Sequence, residues 1–275
     1  MSSTLRSLSL AALLMAGATA LSLSRYSGSP SRAARAGAND ETTQADTTAQ
    51  PADAPPRPVA CRRRQGEIVL NGRGDEPAWQ AAEIVDDFRP HWLDRKALTA
   101  TRARLLWDDE GLYFFADMDD ADLYADVLEP DGMAWLNDVF ELFFKPSEER
   151  RGYYEFQVNA ANTPLDMYLP SRGAGGYDRF VREREFHLRS AVALRGTLGD
   201  WSDVDEGWSV EGFLPWDDFA PSGGRPAAGD RWRFALCRYD YSVAFESSEL
   251  SSSAALTKPD FHRYEDYGLL EFVGP

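Results

Sequence analysis

The chain reads as an all-β protein: an antiparallel two-sheet β-sandwich of jelly-roll type, with one or two short helical turns. Three observations predict it. Beyond residue 60 the sequence breaks into short segments in which apolar and polar side chains alternate with a period of two. Turn chemistry separates these segments, as in Asn71-Gly72, Asp108-Asp109-Glu110-Gly111 and the stretch from Lys145 to Gly152. No segment sustains the 3.6-residue period of a long helix, and many short strands joined by turns build a sandwich or a barrel.

The first sixty residues stand apart. Met1 to Ser24 predicts an export signal, with Arg6 as a basic start, an apolar run from Leu8 to Leu23, and a small-x-small cleavage site at Ala18-Thr19-Ala20. The alternative is an uncleaved membrane anchor, for which this run is near the minimum length. Residues 25–60 are rich in Ser, Ala, Thr, Gly and Pro. Such a segment cannot bury enough apolar surface to offset the entropy of ordering, and it predicts a flexible tether. The folded domain is then residues 61–275, in a protein that is secreted, periplasmic or held at the cell surface. That length is ample for one well-buried core.

Within the domain the expected strands are Glu67–Leu70, Thr101–Trp107, Leu112–Met118, Val139–Phe144, Tyr153–Asn159, Leu188–Leu194, Trp208–Leu214, Trp232–Tyr239 and Gly268–Val273. Glu76 to Ala82 predicts one helical turn with Pro77 at its first position. Trp79, Trp107, Trp208, Trp216 and Trp232 sit in or beside apolar patterns and are expected in the core. Two cysteines, Cys61 and Cys237, form either one disulfide, as an exported chain permits, or two buried free thiols.

Net charge narrows the partners. At −16 the surface repels phosphate backbones and anionic lipid heads, which excludes nucleic acid and leaves membrane contact only to an uncleaved N-terminal segment. Neutral sugars are not repelled.

One strand pair has the makings of a site. In Val139–Phe144, side-chain alternation puts Phe140, Leu142 and Phe144 on one face and Val139, Glu141 and Phe143 on the other. In Tyr153–Asn159 the apolar face is Tyr154, Phe156 and Val158, and its reverse carries Tyr153, Glu155, Gln157 and Asn159. Pairing both apolar stripes on one side as an antiparallel hairpin allows a register with Glu141 opposite Gln157, Leu142 opposite Phe156 and Phe140 opposite Val158. The reverse face then offers a carboxylate and two amides side by side, with Tyr153 nearby. Such a cluster can grip vicinal hydroxyls, which both donate and accept hydrogen bonds; the alternative is an ordinary solvated sheet face. Just before it, Asp131 to Asp138 places Trp135 in a turn, where its ring can either stack on an apolar sugar face or fold back over the core.

Five stretches in order resemble the family 9 carbohydrate-binding modules and their stand-alone exported relatives, within the DOMON-like β-sandwich group. They are Leu70-Asn71-Gly72-Arg73-Gly74-Asp75-Glu76-Pro77-Ala78-Trp79, Arg104 to Tyr113 with its Leu106-Trp107-Asp108, Trp135 to Glu141, Tyr154 to Asn159, and Tyr267-Gly268. The resemblance implies a terminal sugar clamped between two rings. Trp135 matches the first ring, and Phe261, counted back from Gly268, stands where the second is normally Trp. Glu141 matches a hydroxyl-binding carboxylate, Gln157 replaces the family's sugar-binding arginine, and Lys258 lies near a binding amide. Structural calcium is the cofactor it implies, with Asp117, Asp119, Asp120 and Asp122 as candidate ligands, or else as solvated loop carboxylates.

Three other functions compete. A glycoside hydrolase would use Glu141 with Glu155 or Asp138 as its acid and base. A haem module would need an axial pair drawn from Met118, Met133, Met167 and His91, His187, His262, and the sequence has no Cys-x-x-Cys-His motif. The third is a structural exported domain that contacts other proteins without binding sugar.

Overall fold

The computed structural model describes residues 57–274. The expected export signal and all but the last residues of the expected tether lie outside the described residues. Twelve strands follow in order: β1 (Val59–Arg63), β2 (Ile84–Val85), β3 (Thr101–Trp107), β4 (Gly111–Asp119), β5 (Val139–Lys145), β6 (Tyr153–Asn159), β7 (Pro164–Leu169), β8 (Arg189–Arg195), β9 (Gly207–Pro215), β10 (Arg231–Asp240), β11 (Glu249–Ser252) and β12 (Gly268–Val273). One short helix, α1 (Tyr177–Glu183), and four 3-10 turns complete the described chain, one of them the expected turn at Pro77–Ala81.

The chain is mostly β, but it does not form two separate antiparallel sheets. One continuous ladder runs β7-β6-β5-β10-β12-β1-β3-β4-β9-β8, with β11 added to β10 and β2 to β3. The cause is β1. It pairs parallel with β12 (Cys61 beside Phe272) and parallel with β3 (Arg62 beside Leu106), and so joins what would otherwise be two sheets. Val59 and Ala60 already sit in this strand, so the strand starts two residues ahead of the boundary expected from composition. The sheet curls into a nearly closed, barrel-like body.

Its interior holds the expected tryptophans. Trp107, Trp216, Trp232 and Phe272 pack edge-to-face with centroids 4.8–6.4 Å apart. Phe114 of β4 stacks on Phe140 of β5 at 6.4 Å, although these strands are far apart in the ladder. Each buried aromatic contributes about 1.5–3 kcal/mol by removal from water, and each well-placed pair about 0.5–1.5 kcal/mol more. Trp79 packs instead in a smaller cluster beneath its own turn, against Phe115.

One sequence expectation fails here and one open alternative is decided, each for an identifiable reason. Glu67–Leu70 is not a strand. Its loop is held by side chains: Glu76 accepts from the Val69 amide, and the buried Glu211 carboxylate accepts from the Asn71 and Gly72 amides at 2.9 Å each and from Trp79 Nε1 at 2.8 Å. Gly72 is in the left-handed region at φ 80°, and a Cβ there would meet the Ala193 amide at 2.6 Å. The disulfide is also absent: both cysteines are free and buried. Cys61 points into the main core and Cys237 to the opposite face of the sheet. Phe272, the partner of Cys61, bonds Asp230, seven residues from Cys237. At roughly 3.3 Å per residue that is about 23 Å along the strand, far beyond disulfide reach.

Candidate functional site

The half of the ladder made by β10, β5, β6 and β7 has two covered faces. Its inner face is the core. Its outer face lies under three loop regions: the turn carrying Trp135, the segment with α1, and the stretch from Ala254 to Tyr267. The hairpin register places Glu141 opposite Gln157, Leu142 opposite Phe156 and Phe140 opposite Val158, as the two apolar stripes require. Continuing outward, Gln157 faces Leu165, Glu155 faces Met167, and Cys237 lies on the other side of Glu141.

Between this face and its covering loops is a cavity of about 480 Å³. Glu141, Glu155, Gln157 and Met167 form its floor, with Trp135 and Tyr177 on one wall and Phe261 and Tyr239 on the other. Trp135 is half-buried and meets the Tyr177 ring edge-on at 5.0 Å. Its turn is fixed from behind: Tyr241 Oη donates to the Trp135 carbonyl at 2.9 Å, and the Asp138 carboxyl accepts the Tyr124 and Tyr241 amides at 2.6 and 2.7 Å. Burial, with Asp120 nearby, pushes the Asp138 carboxyl up to about 9.

Of the residues expected to bind, the structure gathers Trp135, Glu141, Gln157 and Phe261 around one cavity. The second ring differs from expectation. Phe261 is only 4% exposed, wedged against Tyr239 at 5.2 Å and Phe143 at 6.3 Å, so it is a buried wall rather than an open ring. Glu141 and Gln157 are likewise at the bottom of the cavity, not open to bulk solvent.

Asn159 is outside the cavity. Its Nδ2 donates to the Val127 carbonyl and to Asn137 Oδ1, and its Oδ1 accepts the Ala161 and Thr163 amides, so it shapes the turn after β6. Lys258 is exposed and does not line the cavity, although Pro259 and Asp260 beside it do.

The floor is electrostatically unusual. Burial, and then the charge of Glu155, raises the Glu141 carboxyl well above the ordinary carboxylate range. Burial also raises Glu155, while His262 and the Gln157 amide pull it back down. Gln157 Nε2 donates to Glu155 Oε1 at 2.6 Å, and Tyr153 Oη bonds His262 Nδ1 at 2.9 Å. Sequence reasoning gave Glu155 a place only in the hydrolase alternative, and it missed Tyr177, Tyr239 and His262 as wall and rim residues. Glu155 was findable, since it shares a strand face with Gln157. Tyr177 was not: it arrives on a seven-residue helix whose period is too short to register.

The candidate calcium ligands do not converge. Asp117 pairs with Arg195 at 2.8 Å, Asp119 lies 3.5 Å from Arg102, and Asp122 accepts the Val243 amide at 2.7 Å. Asp120 is buried with Asp138 and Asp240, and the Arg238 guanidinium sits among them, 2.9 Å from Asp120 and 3.3 Å from Asp240. The four expected ligands therefore do not fit one metal ion, and the acidic cluster that does form carries its own cation.

A curled β body with an aromatic-walled pocket on one outer face defines a ligand-binding module. A family model described as "Carbohydrate family 9 binding domain-like" matches residues 70–274, and the chain belongs to that family. Among curated proteins the chain is similar to Endo-1,4-beta-xylanase A of Thermotoga neapolitana (26% identity over 164 residues) and to Exoglucanase XynX of Acetivibrio thermocellus (26% over 176). Each match covers 58% of this chain but only 13% and 15% of those enzymes. Among solved structures, a carbohydrate-binding module of family 9 from Caldicellulosiruptor kristjanssonii in complex with cellotriose aligns with a TM-score of 0.54 at 15% identity, over 80% of this chain and 95% of that one. A putative carbohydrate-binding protein from Bacteroides uniformis aligns with a TM-score of 0.60, also at 15% identity, over 78% and 99%. At that identity the structural likeness speaks for the fold.

Proposed function

We propose that this chain binds carbohydrate without cleaving it, taking a sugar residue into the cavity between Trp135 and Phe261. The observation that carries this is convergence: rings from loops distant in sequence meet over a floor of two carboxyls and an amide on one sheet face. A cavity of about 480 Å³ is within the range of about 300–1,000 Å³ usual for small-ligand sites. In this reading the half-buried Trp135 ring stacks on the apolar face of the sugar, Phe261 closes the opposite wall, and Glu141 and Gln157 take hydroxyl hydrogen bonds. Asn159 acts indirectly, by holding the loop behind Trp135. Family membership supports the same reading, as do the sugar-bound structural relative and the xylan- and glucan-degrading enzymes in which the matching segment is a small part.

Cleavage by this domain is disfavoured by the arrangement of its acids. A glycosidase needs its two carboxyls on either side of the scissile bond. Glu141 and Glu155 stand on adjacent strands and point to one face, side by side beneath the cavity. Export belongs to the reading as well, supported by the basic start and apolar run of Met1 to Ser24 and by the polymeric, extracellular nature of the glycans such modules meet.

Affinity electrophoresis of the full chain through gels containing cellulose derivatives, xylan or other β-glycans tests the proposal. Retention is expected in at least one gel, and Trp135→Ala is expected to abolish it. Because Trp135 is only half-buried, its melting temperature should fall by no more than a few degrees, as for a ΔΔG of about 1 kcal/mol in a domain of this size. Full retention of Trp135→Ala, or release of reducing sugar by the wild type, would overturn the proposal.

A further inference from the structure

The floor of the cavity narrows the ligand further, on the footing that the site binds carbohydrate. Three carboxyl-bearing residues line the cavity, Glu141, Glu155 and Asp260, and no lysine or arginine does among the described residues. Glu155 is 3% exposed and Gln157 1%. The Gln157 amide nitrogen is already donated to Glu155 Oε1. That leaves Glu155 Oε2 and Gln157 Oε1, both buried and both without a hydrogen-bond partner. Glu141 gains no hydrogen bond either; the influences on its carboxyl are burial and the charge of Glu155. The nearest basic group, His262, lies 3.8 Å from Glu155 Oε2 with its Nδ1 engaged by Tyr153. Glu155 Oε2 and Gln157 Oε1 are thus open acceptors stacked in one place; the floor's one remaining donor is the proton held on the raised Glu141 carboxyl, and an ammonium that displaces that proton is faced by two carboxylates.

A sugar hydroxyl brings one hydrogen to such a floor and no charge. An ammonium group brings three, with a positive charge that two buried carboxyls lack. Leaving those acceptors unpaired is what makes the empty floor costly, so a ligand that pairs all of them gains most from binding. We propose that this pocket selects a sugar residue with a free primary amine, an unacetylated hexosamine, seated with its ammonium on Glu141, Glu155 and Gln157 Oε1 and its ring against Trp135. The acidic surface, at net −16, also favours the approach of a cationic glycan.

Isothermal titration of the full chain with three trisaccharides of the same β-1,4 linkage tests this: glucosamine, N-acetylglucosamine and glucose. The glucosamine trisaccharide is expected to bind at least about tenfold more tightly than the other two, a preference of about 1.4 kcal/mol, and its affinity should weaken as salt is raised. Glu155→Gln keeps the side chain's shape and removes its charge; it should bring the amine ligand down to the affinity of its acetylated counterpart, with an unchanged or higher melting temperature showing that the fold survives. Equal or weaker binding of the glucosamine trisaccharide overturns the inference and leaves carbohydrate binding standing. So does a preference that persists in Glu155→Gln and Glu141→Gln. Binding of none of the three also overturns it, and the gel retention experiment then decides separately whether the chain binds glycans at all.

Discussion

Glu141 carries a carboxyl to the bottom of a cavity where only burial and a second carboxyl act on it. The folded chain holds that proton above the ordinary value of 4.5, where the unfolded chain has released it. With more protons bound in the native state, stability falls as pH rises from that ordinary value through the raised one. Glu141→Gln removes this loss. The melting temperature of the variant relative to the wild type should therefore be near zero or slightly negative at about pH 4 and grow more positive toward about pH 9. Asp138, raised to about 9, and Asp120, raised to about 7, tilt both proteins alike and cancel in the difference. Thermal melts across that range check it, and a difference independent of pH would show that Glu141 is ionised in the fold. At this scale the sequence pointed to four side chains that line one cavity, Trp135, Glu141, Gln157 and Phe261, but also to Asn159 and Lys258, which do not, and it was a poor guide to depth. Alternation fixes the face on which Glu141 and Gln157 stand, but the burial of Phe261 depends on Tyr239 and Trp92, which come from other parts of the chain.

Among the elements, the β5–β6 hairpin was legible down to its register because both of its faces are chemically distinct. A slip of one residue would turn Phe140, Leu142, Phe156 and Val158 out of the core. β1 was not legible. Val-Ala-Cys-Arg-Arg is short, has little alternation, and follows a stretch whose composition speaks for disorder. Its role comes from where it inserts, parallel to both β12 and β3, with Val59 beside Leu270 and Ala60 beside Glu271. Ala60 also donates its amide to Glu83 at 3.0 Å. A chain starting at Arg64 therefore loses the strand that joins the two halves of the ladder, while one starting at Arg57 keeps it. The shorter chain should have a lower urea midpoint, corresponding to an unfolding free energy smaller by several kcal/mol, or fail to fold, given about 0.5–1.5 kcal/mol for each lost ladder hydrogen bond and the exposure of Trp107 and Phe272. Equal midpoints for the two chains would mean that β1 merely rests on the sheet.

At the scale of the whole domain, the proposed binding surface is a covered outer face of one half of the curled sheet, not an open end. Core and site are thus built from opposite faces of the same strands: Phe140, Leu142 and Phe144 hold the interior while Glu141 and Phe143, between them, line the cavity. A sequence read strand by strand finds that double use, whereas the roof is assembled from loops whose meeting only the complete fold decides. The central claim is that a glycan sits under this roof. Hydrogen–deuterium exchange of the full chain, with and without a saturating retained oligosaccharide, tests it most directly. Slowed exchange is expected in the turn around Trp135, in residues 171–177 and in residues 259–262, with the rest of the domain little changed. Protection that appears instead on the face of β3, β4 and β9, with those three segments unaffected, would contradict it.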